Sequence, residues 1–273
     1  MGWMAAGAAT RRRTDMERRT ALITGASGGI GLDLARLFAH DGWNLVLVSR
    51  GEARLREVAE ELHHAGSRRV DVVACDLSLP GAADALWAEV AARGVETDAL
   101  VNNAGFGDRR PFLAQTAETQ LGMVRLNVEA LTALTRLALP GMMARGWGRV
   151  LNVASTAAFQ PGPHMAVYYA TKAYVLSLSE ALHEELRGTG VSSTALCPGP
   201  TRTGFADRAG MGSSILFRMS MDSASVAAAG YRGMMRGDAQ VIPGWRNWIG
   251  AQVVGVAPRA FVRRVVSRLQ GNR

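Results

Sequence analysis

Residues 24–31 read Thr-Gly-Ala-Ser-Gly-Gly-Ile-Gly, between a short apolar run, Ala21-Leu22-Ile23, and a helical pattern carried by Leu32, Leu34, Ala35, Leu37 and Phe38. A glycine turn that ends a buried strand and opens a helix restricts the fold more than any other feature of the chain. Gly25 permits the tight turn, Gly29 lets backbone approach a pyrophosphate, and Gly31 lets helix and strand pack closely. The phosphate would meet the unpaired N–H groups at the positive end of the helix. Thr24, Ser27 and Ile30 complete this candidate phosphate loop.

The same alternation continues downstream. Leu45-Val46-Leu47-Val48 is a continuous apolar run, as a strand buried on both faces requires. A charged helix is predicted over 52–65, a strand over 70–74, a helix near 81–93, and a strand at 99–101. A long helix near 118–144, a strand over 149–153, a helix starting near Tyr168, and strands over 193–196 and 239–242 follow. Strands alternating with long helices predict an α/β fold, a Rossmann-type doubly wound parallel sheet of about seven strands with helices on both faces. With no internal repeat or low-complexity linker, residues 19–273 read as a single dinucleotide-binding domain. Residues 1–18, Arg-rich with no apolar stretch of a secretory signal, read as a disordered basic tail.

Of the 273 residues, 48% are hydrophobic and 20% charged, which excludes a disordered or collagen-like chain. The formal charge of +8 suggests a polyanion partner until it is located. Residues 1–20 hold five arginines against Asp15 and Glu17, and residues 255–273 hold five arginines and no acid. The body between them is neutral, so nucleic acid is not an expected partner. Cys75 and Cys197 lie far apart without histidines at ligand spacing, so neither a metal site nor a disulfide is expected and the chain reads as cytoplasmic.

The second strand ends Val48-Ser49-Arg50. An acid there would bind the ribose hydroxyls of NAD and repel the 2′-phosphate of NADP. Arg50 instead offers a fork of donors to that phosphate, with Ser49 beside it, so NADP(H) is expected in preference to NAD(H).

All but one of the 31 basic side chains are arginine; the exception is Lys172, four residues after Tyr168. Spacing of i, i+4 puts the two on one helix face. A free tyrosine has a pKa near 10 and is a poor base at neutral pH; a nearby ammonium is expected to lower that value. A compact point charge suits this place and a planar guanidinium does not.

With these motifs in view the chain resembles the short-chain dehydrogenase/reductase family. The resemblance rests on Thr24–Gly31, on Asn102-Asn103-Ala104-Gly105, on Ser155 thirteen residues before Tyr168, on Tyr168-Tyr169-Ala170-Thr171-Lys172 and on Pro198-Gly199. They occur in family order over roughly residues 20–205. The resemblance implies that Tyr168 is the general acid/base, that Ser155 holds the substrate oxygen, and that Lys172 tunes Tyr168 and bonds the nicotinamide ribose. It implies that Asn127 holds a proton-relay water. Asp76 and Leu77 would bind adenine; Asn103, Ala104 and Gly105 would line the adenosine ribose. Pro198, Gly199, Thr201 and Thr203 would cradle the nicotinamide amide. Two departures stand out. Gly28 occupies a place where NADP-preferring members often carry a basic residue, and Thr201 stands where an apolar residue is usual.

Residues 205–221 are rich in Met and aromatic side chains and read as a substrate lid. Residues 245–273 form a helical extension in which Trp, Val and Phe alternate with Arg. That pattern fits an amphipathic helix packed on the domain or on a second subunit, with a membrane surface as the less favoured partner. The expected substrate is a hydrophobic ketone or aldehyde and its alcohol. The expected assembly is a homodimer or homotetramer. The competing readings are a catalytically silent NADP-binding sensor and a membrane-surface protein on the same fold.

Overall fold

The computed structural model describes residues 19–205 and 220–270; the expected basic tail and most of the expected lid lie outside them. The chain begins with β1 (Thr20–Thr24), buried throughout, then α1 (Gly29–His40), β2 (Asn44–Ser49), α2 (Glu52–His64) and β3 (Val70–Ala74). Next come α3 (Ala82–Ala92), β4 (Ala99–Asn102), α4 (Ala117–Val124) and α5 (Leu131–Ala144). They are followed by β5 (Gly148–Val153), α6 (Ala166–Glu185) and β6 (Val191–Leu196). The C-terminal part contains β7 (Thr201–Arg202), β8 (Met221–Asp222), α7 (Ser223–Arg236), β9 (Gln240–Val241), α8 (Trp245–Val256) and α9 (Arg259–Gln270).

Seven strands form one parallel sheet in the order β3-β2-β1-β4-β5-β6-β9. The order reverses between β1 and β4, which opens a crevice beyond their carboxyl ends where such sheets bind ligands. The predicted sheet is thus the observed one. Its apolar runs are buried because helices cover both faces, giving two separate cores. Phe38, Trp43 and Leu47 belong to one, Val46, Leu100 and Leu134 to the other. In the first, the Phe38 ring meets Trp43 edge-on at 5.0 Å and Tyr231 of α7 at 4.9 Å.

Three features differ from the sequence reading. The long helix is interrupted by a π-helical turn at Arg125–Ala130, which carries Asn127. The pattern over 245–269 is two helices, because Pro258 holds Ala257 extended at ψ 144° and ends α8. The parallel pair β7·β8, only two residues each, was not foreseen.

A buried polar chain ties the sheet to two helices. The Asn102 amide donates to Thr135 Oγ1 (3.0 Å) and Asn152 Oδ1 (2.9 Å), and the Asn152 amide donates to Ser179 Oγ (3.0 Å). Asn102 and Asn152 face each other in register on β4 and β5. An Asn152→Ala substitution strands the Asn102 donor in a dry interior. It should cost about 2 kcal/mol, read in a thermal melt as a Tm drop of roughly 4–8 °C.

Candidate active site

The crevice is a cleft of ≈730 Å³ running from the end of β2 to the start of α6. Its floor begins at the glycine loop. Gly25 (φ +67°) and Gly29 (φ +56°) adopt left-handed backbone, and the N-terminus of α1 has no side-chain cap, so its N–H groups remain open to an anion. A Cβ on Gly31 would come within 2.4 Å of both Asn103 Nδ2 and Gly25 O, so this glycine serves close packing, as expected. Thr24 does not face the cleft. Its hydroxyl donates to Val101 O (3.2 Å) and accepts from the N–H groups of Asn103 and Ala104 (both 3.0 Å), which clamps the loop to β4. Asn103 adds donations to the carbonyls of Thr24 and Gly25 at 2.9 and 3.2 Å.

At one end of the cleft lie Ser49, Arg50, Asp76 and Leu77, and at its middle Ser27, Ile30, Ala104 and Gly105. The Ser49 hydroxyl is buried and has no partner, and Arg50 is exposed beside it. The Ser78 hydroxyl and N–H hold the Asp76 carboxyl below its ordinary pKa, with the Arg50 charge assisting. An orphaned hydroxyl and a bare helix N-terminus fit the ribose and pyrophosphate of a nicotinamide dinucleotide. Pro198, Gly199, Thr201 and Thr203 line the opposite wall. Thr201 turns its hydroxyl onto Gly199 O at 2.9 Å, a bond that accounts for a polar residue here.

Ser155, Tyr168 and Lys172 meet at this wall, and all three face the cleft. The Lys172 ammonium donates to Val153 O at 2.7 Å and lies 5.8 Å from the centre of the Tyr168 ring. Burial lowers the Lys172 pKa to about 8. The Tyr168 phenol departs from expectation: burial pushes its pKa well above 10, the Tyr169 phenol adds to this, and only the Ser155 hydroxyl opposes it. Burial dominates, so the phenol is held in its protonated form. The buried Cys197 thiol is likewise pushed up, to about 12, and is inert.

Asn127 does not line the cleft. Its Oδ1 accepts from Phe106 N (3.1 Å), and its Nδ2 donates to Phe106 O (3.0 Å) and Thr171 Oγ1 (3.1 Å). Its amide therefore joins the loop after β4 to α6 one residue from Lys172.

Several residues of the site escaped the sequence reading. Tyr169, given no role by its spacing, faces the cleft from the same helix as Tyr168 and receives a hydrogen bond from Gln270 of α9. Gln160 also lines this end. Phe205, which opens the expected lid, does pack on the Tyr168 ring at 5.4 Å, whereas Val262 and Val266 of α9 were not foreseen to join Met165, Tyr168 and Tyr169 in one apolar cluster. The Asn247 side chain of α8 lies where a Cβ on Gly199 would fall and donates to Pro243 O at 2.7 Å, so it props the loop of the opposite wall. No local spacing marks these contacts.

Comparison with known proteins agrees with this geometry. The short chain dehydrogenase family matches residues 19–213. A protein of Streptomyces coelicolor named as a ketoacyl reductase is 38% identical over 196 residues, covering 70% of this chain and 73% of that one. The very-long-chain 3-oxoacyl-CoA reductase of Rattus norvegicus is 34% identical over 182 residues, a match spanning 65% of this chain and 58% of the rat protein. Among solved structures, a short-chain dehydrogenase from Sphingobium yanoikuyae in complex with NADPH superposes with a TM-score of 0.77 at 33% identity, covering 89% of this chain and 97% of that one. The bulky-bulky ketone specific alcohol dehydrogenase from Comamonas testosteroni gives 0.74 at 30% identity, with 89% and 96% covered. The chain belongs to the short chain dehydrogenase family and is an oxidoreductase of that kind.

Proposed function

We propose that this enzyme is an NADPH-dependent reductase of hydrophobic ketones, with Tyr168 as the proton donor. The observation that carries the reading is a buried phenol that faces the cleft beside Ser155 and Lys172. A carbonyl reduced to an alcohol needs a hydride on carbon and a proton on oxygen. The nicotinamide supplies the hydride when bound; the chain's residues do the rest. Tyr168 delivers its phenolic proton to the carbonyl oxygen. Ser155 holds that oxygen in line, and Lys172 stabilises the phenolate left behind. Asn127 acts as a positioning residue through Phe106 and Thr171. The loop glycines, Asn103 and Asp76 hold the adenosine half, and Pro198 to Thr203 hold the nicotinamide.

Preference for NADPH rests on the Ser49 orphan hydroxyl and on Arg50, with no acid at the end of β2. A hydrophobic substrate is supported by Phe106, Met165, Tyr169 and Phe205 at the far end of the cleft. The exposed Leu121, Val124 and Tyr174, on α4 and α6, support self-association through those helices into a homodimer or homotetramer. No helix among the described residues is long and apolar enough to cross a membrane.

Tyr168→Phe should lower ketone reduction by about 10²–10⁴-fold while NADPH fluorescence titration still shows binding. Full turnover by this variant removes Tyr168 from the reaction. Arg50→Ala should weaken NADPH about tenfold or more and NADH much less, measured as the two dissociation constants; equal losses refute the preference. Lys172→Met should abolish turnover and yet stabilise the fold at pH 7 by roughly 1–3 kcal/mol, because it removes a buried charge. The folded Lys172 pKa of about 8 lies below the unfolded value of 10.5. The unfolded chain therefore binds more protons between those values, and wild-type stability rises with pH across them. The advantage of the Met variant should shrink between melts at pH 7 and pH 9.5.

A further inference from the structure

We propose that the outer faces of α8 and α9 form a docking surface for an anionic lipid bilayer. A helix on the surface of a domain ordinarily turns its apolar stripe inward. α8 does the reverse. Trp245, Trp248, Ile249, Val253 and Val256 fall at i, i+3, i+4, i+8 and i+11, which is one helix face, and all five are exposed, Val256 to 87%. Gln252 is the polar residue among them. The opposite face holds Asn247, Ala251 and Val254, which are buried or half-buried.

In α9 the outward row is Phe261, Arg264 and Arg268, at i, i+3 and i+7, and Phe261 is 61% exposed. Val262, Val266 and Gln270 form the buried face. Val254 and Ala257 pack in the same cluster as Val262 and Val266, so both exposed rows belong to helices seated on the domain. The sequence pattern was expected to pack on the domain or on a second subunit ahead of a membrane. Packing on the domain accounts for only one side of each helix.

The charge on this surface decides what covers it. Arg246, Arg259, Arg263, Arg264 and Arg268 are exposed, and among the described residues none of the five has an ion-pair partner. Arg36, Arg69, Arg93, Arg125 and Arg145, by contrast, all sit against carboxylates. Residues 239–273 contain no Asp or Glu. A two-fold contact between copies through this surface would therefore set arginine against arginine. A nucleic acid would meet the guanidinium groups and stack on the Trp rings, but it would leave Ile249, Val253 and Val256 in water. An anionic bilayer satisfies both sets. The Trp, Val and Phe side chains enter the boundary between headgroups and acyl chains, and the arginines meet lipid phosphates. Arg263, Arg264 and Arg268 line a concavity of ≈390 Å³ with Pro163 and Ser267, where guanidinium forks match the oxygens of a headgroup phosphate.

Co-sedimentation of the full chain with vesicles tests the assignment. Wild type should bind phosphatidylcholine vesicles containing about a quarter phosphatidylglycerol at least about tenfold more tightly than pure phosphatidylcholine. High salt should remove most of that difference. Arg264→Gln/Arg268→Gln should weaken binding about 25-fold, at about fivefold per charge beside an anionic surface. Trp245→Ala/Trp248→Ala should weaken it about tenfold or more. Both variants should keep the wild-type NADPH affinity within about twofold, which shows them folded. Wild type that stays in solution beside the anionic vesicles overturns the proposal. So does vesicle binding that neither variant weakens, which moves the contact elsewhere, the arginines of residues 1–18 included. A dimer that Trp245→Ala/Trp248→Ala dissociates, with no vesicle binding, assigns the face to a second copy and overturns it as well. Arg-dependent binding of a single-stranded RNA oligonucleotide, again with no vesicle binding, does the same for nucleic acid.

Discussion

One hydrogen bond organises the wall of the cleft that carries Ser155 and Tyr168: the Lys172 ammonium on the carbonyl of Val153. It ties α6 to the last residue of β5. From that point the chain runs through Ala154 to Ser155, whose hydroxyl accepts from Ala157 N at 3.1 Å and starts a short 3-10 turn. Ala154 N donates to Leu196 O and Thr156 N to Pro198 O, so the ends of β5 and β6 are fixed to each other as well. Ser155, Tyr168, Lys172 and the Pro198 loop thus form one rigid unit. Rigidity here has an energetic cost, because the ammonium is buried and its pKa falls. Among this chain's 31 basic residues only this one is a lysine. A guanidinium, wider and unable to shed its proton, could neither fit nor titrate in its place.

The π-helical turn at Arg125–Ala130 complements that bond from the other side. A wider turn redirects a side chain without ending the helix, and such turns gather at functional sites. Here it brings Asn127 across to both backbone polar groups of Phe106 and to Thr171. The loop after β4 is thereby pressed against α6. A Cβ on Gly105 would fall 3.0 Å from Asn127 Oδ1 and 3.6 Å from Lys172 Nζ, so the residue closing the Asn-Asn-Ala-Gly motif has no room for a side chain.

The half of the cleft at the glycine loop was legible in the sequence, and the far half, Phe205 of the expected lid apart, was not, for a physical reason. The first half is built from strand ends and the turns that leave them. Period, glycine position and i, i+4 spacing report such local geometry directly. The continuous run Leu45–Val48 and the Tyr168–Lys172 pair are of this kind. The second half is built by contacts between residues far apart in the chain. Gln270 on Tyr169 joins positions 101 residues apart, and nothing near either one marks the pairing. Pro258 was visible, yet the Trp- and Arg-bearing pattern on its two sides read as one amphipathic stretch. The level of the Tyr168 pKa was also out of reach, because it depends on how much apolar surface closes over the ring.

That closure joins specificity to acid–base chemistry. Phe205 lies on the Tyr168 ring, Met165 precedes α6, and α9 contributes Val262 and Val266 to the same cluster. These side chains give the far end of the cleft an apolar lining. The same side chains exclude water from the phenol and raise its pKa, which keeps it protonated. An apolar roof therefore sets the lining of the cleft and the protonation state of the phenol at once. Replacing it with a polar one would change what the cleft admits and, by rehydrating Tyr168, bring the phenol's pKa down.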